Sequence, residues 1–187
     1  MSAGPIYELH VPGEATRREY TVYLLVARQR DTGRITAVYI GKTGDNREGC
    51  NPLISRAGNH MSYNKLHSQA RNRLGTTEEF DFHFFYAFFG RYIAPEDSRE
   101  GIDLINEMER QLNKRAQTAF GALVVNPYMG SARVPLTERQ KRAGMCTPDR
   151  MDRLDALIAT AERFVANGTS SGATPSSSSS SGVHRPD

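Results

Sequence analysis

Four side chains with chemistry to offer, Tyr23, Tyr39, Arg56 and His60, fall on segments whose spacing can bring them together. The tyrosines belong to two apolar runs, 20–26 and 38–43, either side of Gln29-Arg30-Asp31-Thr32-Gly33. Apolar runs flanking a short Gly-containing polar stretch predict a β-hairpin. With those five residues as the loop, pairing centres on Asp31 and Tyr23 sits directly opposite Tyr39. Directly opposed residues share a face, and a slip of one residue would separate the phenols. Gly41 reads as a tight turn beside them. Arg56 and His60 follow on a segment where Leu53, Ile54, Ala57 and Met61 recur at helical spacing after Pro52. Residues four apart share a helix face, and Pro52 suits the first turn. A phenol titrates near about 10 and an imidazole near about 6.5, while a guanidinium stays charged and grips phosphate with two N–H groups.

Charge gives this cluster a direction. No acidic residue occurs between Gly49 and Thr77, whereas Arg56, Lys65, Arg71 and Arg73 lie there with His60 and His67. A positive field beside a cleft favours a polyanion; the plainer reading is a solvated helix face. A second basic stretch holds Arg133, Arg139, Lys141 and Arg142 against Glu138 alone. The whole chain carries only +3, but 20 of its 24 cationic residues are arginine. Arginine's fork suits phosphate, although a genomic codon bias would give the same surplus.

Val22-Tyr23 followed by Tyr39-Ile40-Gly41-Lys42-Thr43 resembles the paired motif of the GIY-YIG nucleases. The second half is intact. In the first, Thr21 stands where the family usually has Gly, a change that suits a regular strand. The resemblance covers roughly residues 18–130. It implies an Arg and then a His or Tyr on the next helix, a Glu on a later helix and a closing Asn. Arg56, His60, Glu109 and Asn126 occur in that order, and Arg56-x-x-x-His60 is similar to the restriction-enzyme-like branch. Without the family, Asn126 is a turn residue before Pro127.

The carboxylate is chosen by helix geometry. A helix near 98–119 has Asp97 and Glu100 at capping-box spacing and an apolar face of Ile102, Ile105, Met108, Leu112 and Ala116. Glu107 falls away from that face and Glu109 borders it. A carboxylate on the inward edge needs a cation, either a salt bridge to Arg110 or Arg115 or a metal. Glu109 is therefore the match to the family's metal ligand.

The resemblance implies an endonuclease that hydrolyses DNA phosphodiester bonds, on double-stranded DNA, with Mg²⁺ (or Mn²⁺) on Glu109. One carboxylate with waters suits such an ion. Arg56 would hold the scissile phosphate. A tyrosine would be the general base, with Lys42 or His60 assisting. His60 is itself a candidate base, and the sequence leaves Tyr23, Tyr39 and His60 open. Lys65, Arg71, Arg73, Arg133 and Arg139 would contact DNA. The alternative is a non-catalytic nucleic-acid-binding module on the same fold; another is an interaction protein that uses a helix at 148–166.

The elements needed to position these residues follow from the pattern. Strands are expected near 19–28 and 35–41, and a second helical piece near 62–74. The aromatic strand 79–89 alternates Phe80, Phe82, Phe84, Tyr86 and Phe88 against Asp81, His83, Phe85, Ala87 and Phe89. Grease on both faces makes it the expected central strand, with His83 as a satisfied strand histidine. The expected fold is α/β (α+β): a small, mainly antiparallel three-stranded sheet flanked by helices, with a C-terminal helical extension. The chain divides into an irregular arm at 1–18, a nuclease-like domain at 19–130, a basic segment and helix at 131–166, and a Ser-rich tail at 167–187 without a fold of its own. No apolar run approaches the roughly 20 residues of a membrane span, and Met1–Tyr20 lacks an apolar signal core. Two cysteines, Cys50 and Cys146, give no disulfide framework. A cytoplasmic protein and a possible homodimer are the remaining expectations.

Overall fold

In the computed structural model, which describes residues 8–44, 51–64, 68–92, 99–129 and 135–170, the two apolar runs pair as a hairpin. Its strands are β1 (Glu19–Gln29) and β2 (Ile35–Thr43). The register differs from the one centred on Asp31. Tyr23 lies opposite Gly41 and Leu25 opposite Tyr39. The cause is a bulge: Ala27 pairs with Ala37 but Arg28 pairs with Ile35, leaving Thr36 as an extra residue on β2. Thr36 Oγ1 donates to the Ala27 carbonyl at 3.3 Å. The turn side of the bulge, where Gln29 N–H bonds the Arg34 carbonyl, would by itself put the phenols on opposite faces. The extra residue restores the parity, so Tyr23 and Tyr39 are diagonal neighbours on one face. Gly41 is not a turn but a strand residue within β2.

The third strand, β3 (Phe80–Arg91), pairs antiparallel with β1, giving the order β2-β1-β3. The aromatic strand is therefore an edge, and β1 takes the centre. Burial explains the exchange. Residues 20–27 of β1 are all buried, while Phe80–Phe88 are only half-buried. An unbroken apolar run with a single buried threonine suits the central place better than an aromatic strand that carries Asp81 and His83.

Alternation gives the sheet two unlike faces. One buries Val22, Leu24, Val26, Val38 and Ile40 under α3 (Arg99–Phe120) and α5 (Pro148–Ser170). α3 contributes Leu104, Ile105, Met108, Leu112 and Ala116, and α5 contributes Leu154, Leu157, Ile158 and Ala161. Each large apolar side chain buried there is worth roughly 2 kcal/mol. The other face carries Tyr23 and Leu25, covered by two short helices, α1 (Leu53–Met61) and α2 (Gln69–Leu74), through Leu53 and Ala70.

α5 packs on the core and runs four residues beyond the expected 166. The basic segment contains α4 (Leu136–Met145), which the sequence reading did not anticipate. α2 is shorter than the expected 62–74 piece. The His83 expectation is corrected as well: its ring packs at a tilt on Phe164, 4.2 Å between centroids, but its buried Nε2 has no hydrogen-bond partner among the described residues. Lys65, Asp97 and Arg133 lie outside the described residues. The described residues thus form an α+β fold of a three-stranded antiparallel sheet and five α-helices. Among the described residues no helix is long and apolar enough to cross a membrane.

Candidate active site

The bulged register, the short α1 and one glycine together build a polar cluster on the thinly covered face. The Tyr23 hydroxyl lies 2.6 Å from His60 Nε2, and both side chains are fully buried. The ring of Tyr23 lies flat over Gly41, where a Cβ would fall 2.3 Å from the phenol carbon and oxygen. Only glycine admits the ring at this point, whatever its backbone angles. Tyr39 meets the His60 ring edge-on at 4.8 Å between centroids, and Phe84 closes the far side at 5.7 Å from Tyr23. Arg56 sits one turn before His60 on α1, beside both phenols.

The electrostatics follow from burial and that guanidinium. Burial pushes the Tyr23 phenol well above its usual range, and Arg56 pulls back only part of the way. Burial also raises Tyr39, while Arg56, Arg73 and Lys42 lower it and Glu109 raises it. Burial, reinforced by Arg56, lowers His60 to about 4, so its ring is neutral at pH 7. Its Nδ1 is buried with no hydrogen-bond partner among the described residues.

Lys42 points to the other face of β2, because its cross-strand partner Val22 belongs to the apolar core. There Lys42 Nζ reaches Glu109 Oε2 of α3 at 2.5 Å. β2 is an edge strand, so the two faces meet around it. Glu109 is close enough to act on both phenols. It also lines a cleft of about 440 Å³ between α3 and α4, with Asn113, Asn126, Tyr128, Arg110 and Arg142.

Glu107 is corrected. It does not fall away from the packed face but is 3% exposed. Arg110 Nε donates to it at 2.7 Å and Arg110 Nη2 makes a second bond, while Gln111 Nε2 donates at 2.7 Å. Burial pushes its pKa up, but these hydrogen bonds outweigh that and hold it below the usual carboxylate range. α4 packing over α3 encloses a position that would be solvated on an isolated helix, and Cys146, at the end of α4, adds a thiol contact. The cation that satisfies Glu109 is Lys42 of the sheet, not Arg110 or Arg115.

Asn126 is a clamp. Its side-chain amide accepts from the Ile40 N–H at 3.0 Å and donates to the Ile40 carbonyl at 2.7 Å. It thus mimics a strand neighbour on the outer edge of β2, continuing the parallel bridge between Val38 and Val124. Asn113 holds the clamp by donating to the Asn126 carbonyl at 2.8 Å and accepting from the Tyr128 N–H at 2.7 Å. Sequence reasoning passed over Asn113. Its place four residues after Glu109, on the same helix face, was the available signal.

The basic residues divide. Arg73 is anchored on the Val125 carbonyl and acts on Tyr39. Arg71 is folded over the Tyr63 ring and bonded to the Met61 carbonyl and to Glu78. Arg139 is exposed on α4. The structure therefore brings Tyr23, Tyr39, Arg56 and His60 into one cluster and sets the Lys42–Glu109 pair around the strand edge. No family model, no curated protein and no solved structure matches this chain.

Proposed function

We propose that this protein is a divalent-metal-dependent endonuclease of GIY-YIG type that hydrolyses DNA phosphodiester bonds. The observation that carries the reading is the Tyr23–His60–Tyr39 cluster over Gly41, with Arg56 beside the phenols and Glu109 around the edge of β2. These are the positions that the paired motif implies.

The residues divide the work by exposure. Tyr23 and His60 are sealed, so they hold the cluster in place. Tyr39 is half-buried and, once its own proton has left to solvent, takes the proton from the attacking water as the phenolate. Its phenol is held high by burial, and three cations, Arg56, Arg73 and Lys42, favour the phenolate. Arg56 grips the scissile phosphate and offsets the charge that grows on it.

Glu109 fits a Mg²⁺ or Mn²⁺ site. It is a hard oxygen donor with 29% side-chain exposure, and Mg²⁺ takes one or two carboxylates while keeping several waters. Among the described residues no group of three or more His, Cys, Asp or Glu could hold a metal, which suits one ion held by a single carboxylate better than a two-ion site. Such an ion would supply charge neutralisation at the phosphate and the leaving oxygen. Lys42 neutralises Glu109 in this structure and would yield that carboxylate to the ion.

The test is supercoiled plasmid incubated with the purified protein and Mg²⁺ or Mn²⁺, beside Glu109→Ala and an EDTA control. Conversion to open circles or linear DNA, lost with the variant and the chelator, is expected. No cleavage, with a salt-sensitive gel shift by both proteins, would make this chain a binding module instead.

A further inference from the structure

The core does not account for the rings of β3. The strand is aromatic enough for the centre of a sheet but lies at its edge. Its even-numbered side chains, Phe80, Phe82, Phe84, Tyr86 and Phe88, are therefore only half-buried. They share the face of the polar cluster, because Tyr23 pairs with Tyr86 and Leu25 with Phe84. Phe82, Phe84 and Tyr86 lean on the packed residues around Tyr23 and Leu25, whereas Phe80 and Phe88 belong to neither packed cluster of the described residues. Their rings meet neighbours in the row instead. The Phe80 and Phe82 centroids are 6.2 Å apart, and those of Tyr86 and Phe88 are 5.6 Å apart.

Cations stand at both ends of this row. Arg17 lies over the Phe88 ring, 6.0 Å from its centroid. Its ion pairs with Glu14 and Glu19 are loose, at 3.9 Å. Surface pairs of this kind contribute little, so a phosphate can take the guanidinium. At the other end Tyr63 is 80% exposed, with the Arg71 guanidinium 3.9 Å from its ring centroid. Its hydroxyl lies 3.5 Å from Glu78, two residues before Phe80, and Glu78 is itself paired with Arg71. Asp81 points to the opposite face and pairs with Arg28.

The spacing of the rings selects what can lie on them. Same-face side chains of a strand are roughly 6.8 Å apart. Bases stacked in a duplex rise about 3.4 Å along each strand, so a duplex cannot set successive bases on successive rings. An unpaired strand can be drawn out to that spacing, and every base offers a π-face. The row also leads to the cluster, since Phe84 lies 5.7 Å from the Tyr23 ring and 6.4 Å from the His60 ring.

We propose that this aromatic row, extended by Tyr63, is a stacking track for the bases of an unpaired DNA strand. The DNA presented to the cluster then carries a single-stranded segment beside the bond to be cut. The track stands on the rings alone; the place of the cut rests on the nuclease reading above.

Fluorescence anisotropy of the full chain in EDTA, with labelled oligothymidylate and a labelled duplex, tests the track without any cleavage readout. Tighter binding of the single strand is expected. Phe80→Ala and Phe88→Ala, which lie outside the packed clusters, should each weaken it about 10-fold with duplex binding unchanged. Phe88→Tyr should keep it. Arg17→Gln should reduce the salt slope by about 0.7. If the alanine variants lose the native circular-dichroism spectrum, Phe88→Leu keeps an apolar side chain without the ring and decides. Equal affinity for the two DNAs, or a single-strand affinity that loss of either ring leaves unchanged, overturns the proposal. The expected binding, with no cut in Mg²⁺ of a duplex that carries a single-stranded arm, would keep the track and remove the nuclease reading.

Discussion

The two faces of one small sheet do opposite work. Beneath α3 and α5 the strands turn Val22, Leu24, Val26, Val38 and Ile40 into a dry core. Beneath α1 and α2 the intervening residues of the same strands hold two phenols, an imidazole and a guanidinium. The long helices stabilise one side, and this lets the other carry buried polar groups that contribute less. The contrast repeats on α3. Glu107 and Glu109 are two residues apart, yet one is locked by Arg110 and Gln111 while the other meets Lys42 at the edge of the cleft.

The pair of glutamates gives the largest expected difference. Glu109→Gln should lower plasmid cleavage on the order of 10³-fold, about 4 kcal/mol of barrier, with thermal stability almost unchanged. Glu107→Gln should do the reverse. It leaves Arg110 beside a neutral group and should cost about 3 kcal/mol in denaturant unfolding, with the cleavage rate of the folded protein kept. Equal effects of the two on cleavage would erase the distinction drawn between them.

pH separates the faces next. His60 is lowered from 6.5 to about 4, so the unfolded chain binds a proton that the folded one refuses. Stability should therefore fall as pH drops from about 6.5, by about 3 kcal/mol at pH 4, and level off below it. Urea titrations across that window measure the slope, and His60→Gln should flatten it. A smaller effect, about 2 kcal/mol, is expected for Asn126→Ala, which leaves the Ile40 N–H and carbonyl without their clamp. Hydrogen exchange at Ile40 should quicken with it.

The sequence showed the hairpin, the third strand and every α-helix but α4, because apolar periodicity reports them directly. It placed Tyr23 and Tyr39 on one face, but through the wrong register. A bulge at Thr36 is a backbone event with no side-chain signature here, and it moved the partner of Tyr23 from Tyr39 to Gly41. It also assigned β3 to the centre, since aromatic content signals burial but not neighbours. Glu107 was misjudged because its burial comes from α4, a polar helix whose packing no apolar stripe announces. Asn126 was found by motif, while its pair of hydrogen bonds with Ile40 depends on a contact 86 residues away in sequence.

Tyr39→Phe separates a working site on the thinly covered face from a mere second core. Single-turnover cleavage and thermal unfolding should be measured on the same preparation. A rate lower by about 10²-fold or more is expected with an unchanged unfolding midpoint, if the hydroxyl acts on the proton in transfer and contributes little to packing. An unchanged rate, or a loss of stability in step with the loss of rate, would contradict it.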